Sequence, residues 1–343
     1  MAAAVFALAA SVLAASVLAS VPRVEVSPAV YMPLLNFGFQ NDHTAALKMG
    51  VRGIDTALTY GDPQQTEVGK AVRESGIPRS EIFVTTKIPC CPAQFTTRLC
   101  PPSQSTNVTA NVEHDLKMLG LGYVDLMLVH WPCADFEATV ATYLALEPFV
   151  LSGVARAIGI SNFNSSAIEA LMPRVNVTPA VNQCGFSISG HSEATSLWGR
   201  DDATHASCIK HGITYSAYSP LGGVAKHGTG HVLNDPTVKA VAKSHNRSAA
   251  QVALRWVTQQ GVVAVTSSDK VTHIASDLQS FDFNLTSAEI AELALRSCKS
   301  DCGVSDDRGN IILGLTRVCK MIESLQLHFH LRFSRWCEVE RDN

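Results

Sequence analysis

The chain has 343 residues, 46% of them hydrophobic and 17% charged, and a formal net charge of −3. This composition is globular and excludes a disordered chain, and the absence of any basic stretch interleaved with aromatics argues against a nucleic-acid partner. The length suits one large α/β domain or two ordinary ones, and no internal repeat is visible.

The chain opens on an uncharged leader, residues 1–21, in which Ala2 to Ala19 are mostly Ala, Val and Leu. It reads as the apolar region of a signal peptide with a small-residue cleavage site at Val17-Leu18-Ala19, although no basic residue follows Met1. The run is also long enough for an uncleaved membrane anchor. An organelle-targeting piece, or a cytoplasmic protein with this extension, is the alternative. Ten cysteines, and Asn-x-Ser/Thr sequons at Asn107, Asn164, Asn176, Asn246 and Asn284, lean toward the secretory route.

From residue 22 to about 300, strand-like and helical segments alternate. Val24 to Pro33 reads as a hairpin that could close the bottom of a barrel. Strands follow at Leu34–Phe39, Gly53–Thr56, Ile82–Lys87, Asp125–His130, Ala157–Ser161, Ala180–Gln183, Ile213–Ala217 and Val262–Thr266. Between them, Val112, Leu116 and Leu119 share one helical face, which Gly120 and Gly122 end. Asp235-Pro236 starts a helix with Val238, Val241 and Ala242 inward, and Ser248 with Gln251 forms a capping box ahead of Val252, Trp256 and Val257. Residues 301–343 form a tail with no interpretable pattern.

Eight strand–helix units in about 250 residues predict a closed, parallel (β/α)8 TIM barrel in the α/β class. The rival, a doubly wound sheet, would carry a Gly-rich phosphate turn after its first strand. Gly120-Leu121-Gly122 lacks the third glycine and precedes a strand.

Polar residues stand where these strands run out: Asp55, Lys87, His130, Ser161, Asn162 and Gln183, with Tyr60 in the loop after Asp55. Strand C-termini are where such a barrel gathers its site. A lysine beside a tyrosine favours the phenolate and predicts a lowered tyrosine pKa. That phenol can then act as acid or base. An aspartate keeps the ammonium charged, a histidine can bond a carbonyl oxygen, and Asn and Gln can hold an amide-bearing ring. Taken alone, Asp55 and Lys87 also fit a structural ion pair.

The segments that carry these residues resemble the aldo-keto reductase family. They are Gly50-Val51-Arg52-Gly53-Ile54-Asp55-Thr56-Ala57 with Tyr60 and Glu67-Val68-Gly69; Val84-Thr85-Thr86-Lys87-Ile88; Leu128-Val129-His130-Trp131-Pro132; Ala157 to Phe163; Val181-Asn182-Gln183; and Ala217-Tyr218-Ser219-Pro220-Leu221-Gly222. The resemblance runs from Val24 to Leu295 in the family's order. It implies an NAD(P)H-dependent reductase of aldehydes or ketones, working as a monomer on a small carbonyl substrate. Tyr60 would be the general acid, tuned by Lys87 and Asp55, and His130 would orient the substrate. Ser161, Asn162 and Gln183 would hold the nicotinamide carboxamide, with Tyr218 stacked on the ring and Ser219 and Leu221 alongside. Trp131 would line the substrate pocket or pack the barrel top.

The chain departs from the family's pattern at the cofactor's far end. Thr266-Ser267-Ser268 stands for the usual Pro-Lys-Ser, and His273 for an arginine, so two permanent cations for the 2′-phosphate of NADP are missing. Ser276 and Asp277 replace Glu and Asn at the adenine, while Gly185 and Ser187 replace Glu and His after Gln183. NADPH is the family's cofactor, and NADH is the alternative that these changes open. The loop Pro89–Asn107, rich in Cys and Pro, reads as a specificity loop that a disulfide could brace, and Ser187–Ala203 as a border of the cofactor. A non-catalytic nicotinamide-binding barrel, acting as sensor, channel-associated subunit or structural protein, is the rival reading. A barrel hydrolase would need paired carboxylates or metal ligands at these strand ends.

Overall fold

The computed structural model describes residues 21–38, 42–90, 107–189, 202–222 and 232–295. The leader up to residue 20, the tail, and most of the Pro89–Asn107 and Ser187–Ala203 segments lie outside the described residues.

The described residues open with the antiparallel pair β1 (Arg23–Ser27) and β2 (Val30–Pro33), the hairpin that the sequence predicts. The parallel strands are β3 (Leu35–Phe37), β4 (Gly53–Asp55), β5 (Phe83–Ile88), β6 (Val124–Val129), β7 (Ala155–Ser161), β8 (Val181–Gly185), β9 (Thr214–Tyr218) and β10 (Val263–Thr266). They pair in chain order, and β10 closes on β3 with Ala264 opposite Leu35, which makes the predicted barrel. Every residue of β5 and of β6 is buried. Such strands face side chains inside the barrel and helices outside, so their sequences run apolar without alternation. Where β7 meets β8 the backbones approach closely, and a Cβ on Gly159 would stand 2.5 Å from the Val181 carbonyl oxygen.

The helices are α1 (His43–Lys48), α2 (Asp62–Glu74), α3 (Val108–Leu119), α4 (Phe136–Leu144), α5 (Glu147–Leu151), α6 (Ser165–Leu171), α7 (Asp202–Lys210), α8 (Pro236–Ser244), α9 (Ala249–Thr258) and α10 (Val271–Leu278). Their starts follow capping chemistry. Asp42, Asn107, Asp135, Asn164 and Asp235 each accept a hydrogen bond from a first-turn backbone N–H, and Ser248 with Gln251 forms the expected capping box. Asn107 and Asn164, two of the sequon residues, thus serve as caps. Gly120 ends α3 in the left-handed region, at φ 59°. A second compact unit begins at Thr286. Its described helix, α11 (Ser287–Ala294), has its own capping box between Thr286 and Glu289. No helix among the described residues is long and apolar enough to cross a membrane.

The hairpin plugs the barrel's N-terminal end. Val26, Val30 and Met32 share a buried cluster with Phe83, Leu126, Leu128, Ala157, Val181 and Val263. On the outside, α9 buries Trp256, whose ring stacks on Phe186 at 5.2 Å. Truncating such a ring typically costs about 3–5 kcal/mol.

One helical face differs from its prediction. The buried residues of α3 are Asn111, Val112, Asp115 and Leu119, whereas Leu116 is only half-buried. The Asp115 carboxylate replaces the expected leucine because polar partners wait for it. It accepts from Thr86 Oγ1 at 2.6 Å and from the Gln65 side-chain amide, and Gln65 in turn accepts from the Thr56 hydroxyl. No cation pairs with it among the described residues, and burial pushes its pKa up to about 6. The folded chain therefore holds a proton here that the unfolded chain releases between about pH 4 and pH 6. This group makes the fold more stable as pH falls through that window and costs stability above it. In urea unfolding from pH 7 to pH 4, the wild type should gain about 2 kcal/mol relative to Asp115→Asn. Parallel pH profiles for the two proteins would contradict this account.

Candidate active site

At the C-terminal ends of β4 and β5 lies a buried ion pair. Lys87 Nζ is 2.5 Å from Asp55 Oδ1, with the two side chains 1% and 3% exposed. The ammonium also donates to the Thr56 carbonyl at 2.9 Å. The second carboxylate oxygen of Asp55 accepts from Gln183 Nε2 at 2.7 Å, across the barrel from β8. A charge removed from water needs this degree of satisfaction to persist. The ammonium is held charged: burial opposes this, but Asp55, with Tyr60 beside it, raises its pKa.

Tyr60 follows β4 in a short turn over Leu58–Tyr60 that begins at Ala57. Its ring lies 5.5 Å from Lys87 Nζ, close enough for the ammonium and the phenol to act on each other's charge. The expected lowering of its pKa is not the net result. Burial raises it more than Lys87 lowers it, so the phenol keeps its proton. Lys87 does lower it, as the sequence predicts, but desolvating a phenolate costs more.

His130 stands just past β6, where its backbone N–H donates to Ile88 at 2.9 Å. Its ring is edge-on to Tyr60, with centroids 6.0 Å apart, and Thr59 Oγ1 lies 3.1 Å from its Nδ1. Burial, reinforced by the Lys87 charge, holds its pKa well below the usual histidine value. The imidazole is therefore neutral. Trp131 stacks face to face on it at 3.6 Å and is itself only 4% exposed. That placement makes Trp131 a wall behind the histidine ring.

Beside this cluster lies a set of uncharged donors and acceptors. Ser161 Oγ donates to the Gln183 carbonyl at 2.8 Å. Asn162 Nδ2 donates to the His130 carbonyl and to Ser161 Oγ, and its Oδ1 accepts from the Tyr218 hydroxyl at 2.9 Å. Tyr218 is held protonated, its pKa pushed well up by burial. Two of the residues that the sequence singles out sit in the left-handed region: Asn162 at φ 64° and Ser219 at φ 51°. Left-handed backbone is uncommon outside glycine and often marks functional turns. Leu221 follows within the turn that the Gly222 N–H closes on the Ser219 carbonyl.

The residues expected at the cofactor's far end lie beyond β10. Ser267 and His273 are exposed, Ser268 is half-buried and accepts from the Lys270 N–H, and Asp277 is buried. Burial pushes the Asp277 pKa up to about 7.

Sequence reasoning missed several participants. Thr56 and Thr59 contribute a carbonyl and a hydroxyl, groups that leave no pattern in a sequence. It also missed that Cys90 pairs with Cys133, three residues past Lys87 and three past His130. Cys184 and Cys208 are buried, Cys184 Sγ donating to the Phe163 carbonyl and Cys208 Sγ accepting from Asn182 Nδ2.

Fold and site together define a (β/α)8 barrel with an acid–base cluster and an uncharged amide-and-hydroxyl set at one mouth. The chain belongs to the aldo/keto reductase family, whose profile matches residues 40–295, and the family groups it with oxidoreductases. It is 36% identical over 287 residues to a morphine 6-dehydrogenase of Pseudomonas putida, covering 79% of this chain and 90% of that protein. It is 36% identical over 284 residues to an aldo-keto reductase of Mycolicibacterium smegmatis, covering 80% and 90%. Among solved structures, an aldo/keto reductase from Brucella melitensis aligns with TM-score 0.67 at 31% identity, over 80% of this chain and 97% of that one. A Bombyx mori aldo-keto reductase in complex with NADP aligns with TM-score 0.67 at 27% identity, over 80% and 92%.

A neutral His130 has a measurable consequence. Its folded pKa is depressed, so the unfolded chain binds a proton below about pH 6.5 that the folded chain refuses. This histidine therefore makes the fold less stable as pH falls through that value. The His130 ring resonances, assigned by comparison with His130→Gln, should stay flat from pH 8 to pH 6. A titration centred near 6.5 would contradict the burial argument.

Proposed function

We propose that this protein reduces aldehydes or ketones to alcohols with a reduced nicotinamide cofactor, and that Tyr60 protonates the carbonyl oxygen. The observation that carries this reading is the protonated Tyr60 phenol set 5.5 Å, ring centre to nitrogen, from the Lys87 ammonium and edge-on to a neutral His130.

The residues fit a nicotinamide. Its carboxamide needs uncharged donors and acceptors, which Ser161, Asn162 and Gln183 provide on adjacent strand ends, and Tyr218 offers an aromatic face. Gln183 uses its amide nitrogen on Asp55 and keeps its Oε1 as an acceptor. When bound, the reduced cofactor supplies the hydride that adds to the carbonyl carbon.

The protein's own groups handle the oxygen. The substrate carbonyl gains negative charge there as hydride arrives. Tyr60 gives its proton to that oxygen, and the phenolate left behind is stabilised by Lys87, whose charge Asp55 secures. Thr59 Oγ1, 3.1 Å from His130 Nδ1, can donate to it, and in that tautomer Nε2 carries the proton and donates to the same oxygen. Trp131, stacked on His130, keeps the imidazole in plane. Carbonyl, hydride and proton together give the alcohol, and the reverse order of events oxidises one. Relatives named both as a dehydrogenase and as reductases support chemistry that runs either way.

The far end of the cofactor site is less decided. NADPH is supported by the family and by the neighbour that binds NADP. Ser267 and His273 supply no permanent positive charge, and Asp277 offers a buried carboxyl, so NADH is the competing cofactor. The barrel is proposed to act as a monomer on a small carbonyl compound, including sugar-derived ones.

Absorbance loss of NADPH and of NADH, followed separately with an aldehyde panel, tests the reading on the chain from Val21 onward. Turnover should occur and should fall by about 10²–10⁴ in Tyr60→Phe. The discrimination between the two cofactors should be weak, and His273→Arg should improve NADPH binding several-fold without changing that of NADH. Tight cofactor binding with no turnover on any substrate would replace this proposal with a sensor or structural role.

A further inference from the structure

The Cys90–Cys133 bond lies beyond the ends of β5 and β6, next to the segment of His130 and Trp131 and outside the chemistry assigned above. The β5–β6 ladder ends where the His130 N–H donates to the Ile88 carbonyl. Beyond that point the bond ties the two strand extensions together, with the Cα atoms 4.7 Å apart. One extension continues from Lys87, and the other carries His130 and Trp131. The latter is otherwise tethered near the bond by the Cys133 N–H, which donates to Thr139 Oγ1 at 2.8 Å.

The two sulfurs have unequal surroundings. Cys90 is 1% exposed, whereas Cys133 is half-buried. The Thr142 hydroxyl on α4 lies 3.3 Å from the Cys90 sulfur and 3.7 Å from that of Cys133. Thiol–disulfide exchange needs access for the incoming thiolate at one sulfur and stabilisation of the departing thiolate at the other. Cys133 offers the access, and Cys90 has the nearby hydroxyl donor.

We propose that Cys90–Cys133 is a thiol-exchange site whose opening loosens the substrate side of the mouth. An external thiolate attacks Cys133 Sγ, the bond between the sulfurs breaks, and its electron pair leaves on Cys90, where the Thr142 hydroxyl donates to it. A dithiol reductant completes the reaction: its second thiol displaces the mixed disulfide, the dithiol becomes a disulfide, and two protons end on Cys90 and Cys133. The closed bond ties down the extension that carries the Trp131 wall behind His130, and opening it removes that tie and leaves the Cys133 N–H on Thr139 Oγ1 as the tether nearby. The cofactor groups on β7 to β9 reach this extension through the Asn162 bond to the His130 carbonyl, where the β5–β6 ladder still holds the backbone, so their affinity is kept when the bond opens. The coupling to substrate rests on the reductase reading above, and the exchange chemistry does not.

The experiment has two arms. In the first, the full chain is treated with glutathione, alkylated with iodoacetamide and mapped by mass spectrometry without further reduction, with fragment ions separating Cys90 from Cys91. Untreated protein should show Cys90 linked to Cys133. Treated protein should show glutathione on Cys133 and alkylation on Cys90. Unlinked cysteines at the start, another pairing, or glutathione on Cys90 would overturn the proposal. In the second arm, dithiothreitol should raise the substrate KM several-fold while the cofactor Kd, read by protein fluorescence, stays constant. Cys133→Ser should show the raised KM and no response to dithiothreitol. An unchanged KM would overturn the coupling. If no substrate turns over, the first arm still decides the exchange chemistry, and the failure belongs to the reductase reading.

Discussion

The structure turns on one constraint: a lysine ammonium held inside a barrel wall, out of water. Such a charge persists only if its partners are placed around it with little slack. Asp55 supplies the opposite charge and Thr56 a carbonyl, and Gln183 reaches across from β8 to occupy the other oxygen of Asp55. Behind the strands, Thr56 and Thr86 are tied through Gln65 to Asp115, so the residues flanking the ion pair are fixed from the helix side as well. A polar network of this kind specifies one arrangement because a half-satisfied alternative is costly.

The electrostatics of the mouth follow from that charge and from burial, which compete. For Tyr60 burial outweighs the cation, so the phenol retains a proton to give. For His130 burial and the cation act together, which keeps the ring neutral and able to serve as a donor. Both outcomes suit carbonyl reduction, which needs a proton donor and a polar contact at one oxygen. By contrast, at the far end of the proposed cofactor site Ser267 and His273 are exposed, and only Asp277 of that set is buried.

Much of the barrel was legible in the sequence, because each strand is a short apolar run and each strong helix start is a capping pattern. Asp55, Lys87, His130 and Gln183 were legible as candidates because polar residues at the ends of buried strands stand out. The spacing of Val112, Leu116 and Leu119 misled by one position, since periodicity counts apolar residues and cannot see that a buried Asp115 has partners on two other elements. Likewise, the sequence shows that Tyr60 follows Asp55, but the size of its desolvation depends on how tightly the mouth closes around it. The loop after Lys87 suggested a disulfide, yet the partner, Cys133, comes from the next strand extension, and only the parallel pairing of β5 with β6 brings them together.

The central claim is that the Lys87–Asp55 pair serves the proton chemistry of Tyr60 beyond holding the barrel together. The direct measurement is the pH dependence of kcat/KM for the wild type and for the double variant Asp55→Asn/Lys87→Met, which removes both charges and leaves neither buried alone. The account predicts a folded variant that still binds cofactor, with kcat/KM lower by about 10²–10⁴ and the alkaline limb of the profile moved to higher pH, because the cation that lowers the Tyr60 pKa is gone. A folded variant with the wild-type rate and an unmoved profile would contradict it, and would leave the pair as a structural ion pair only.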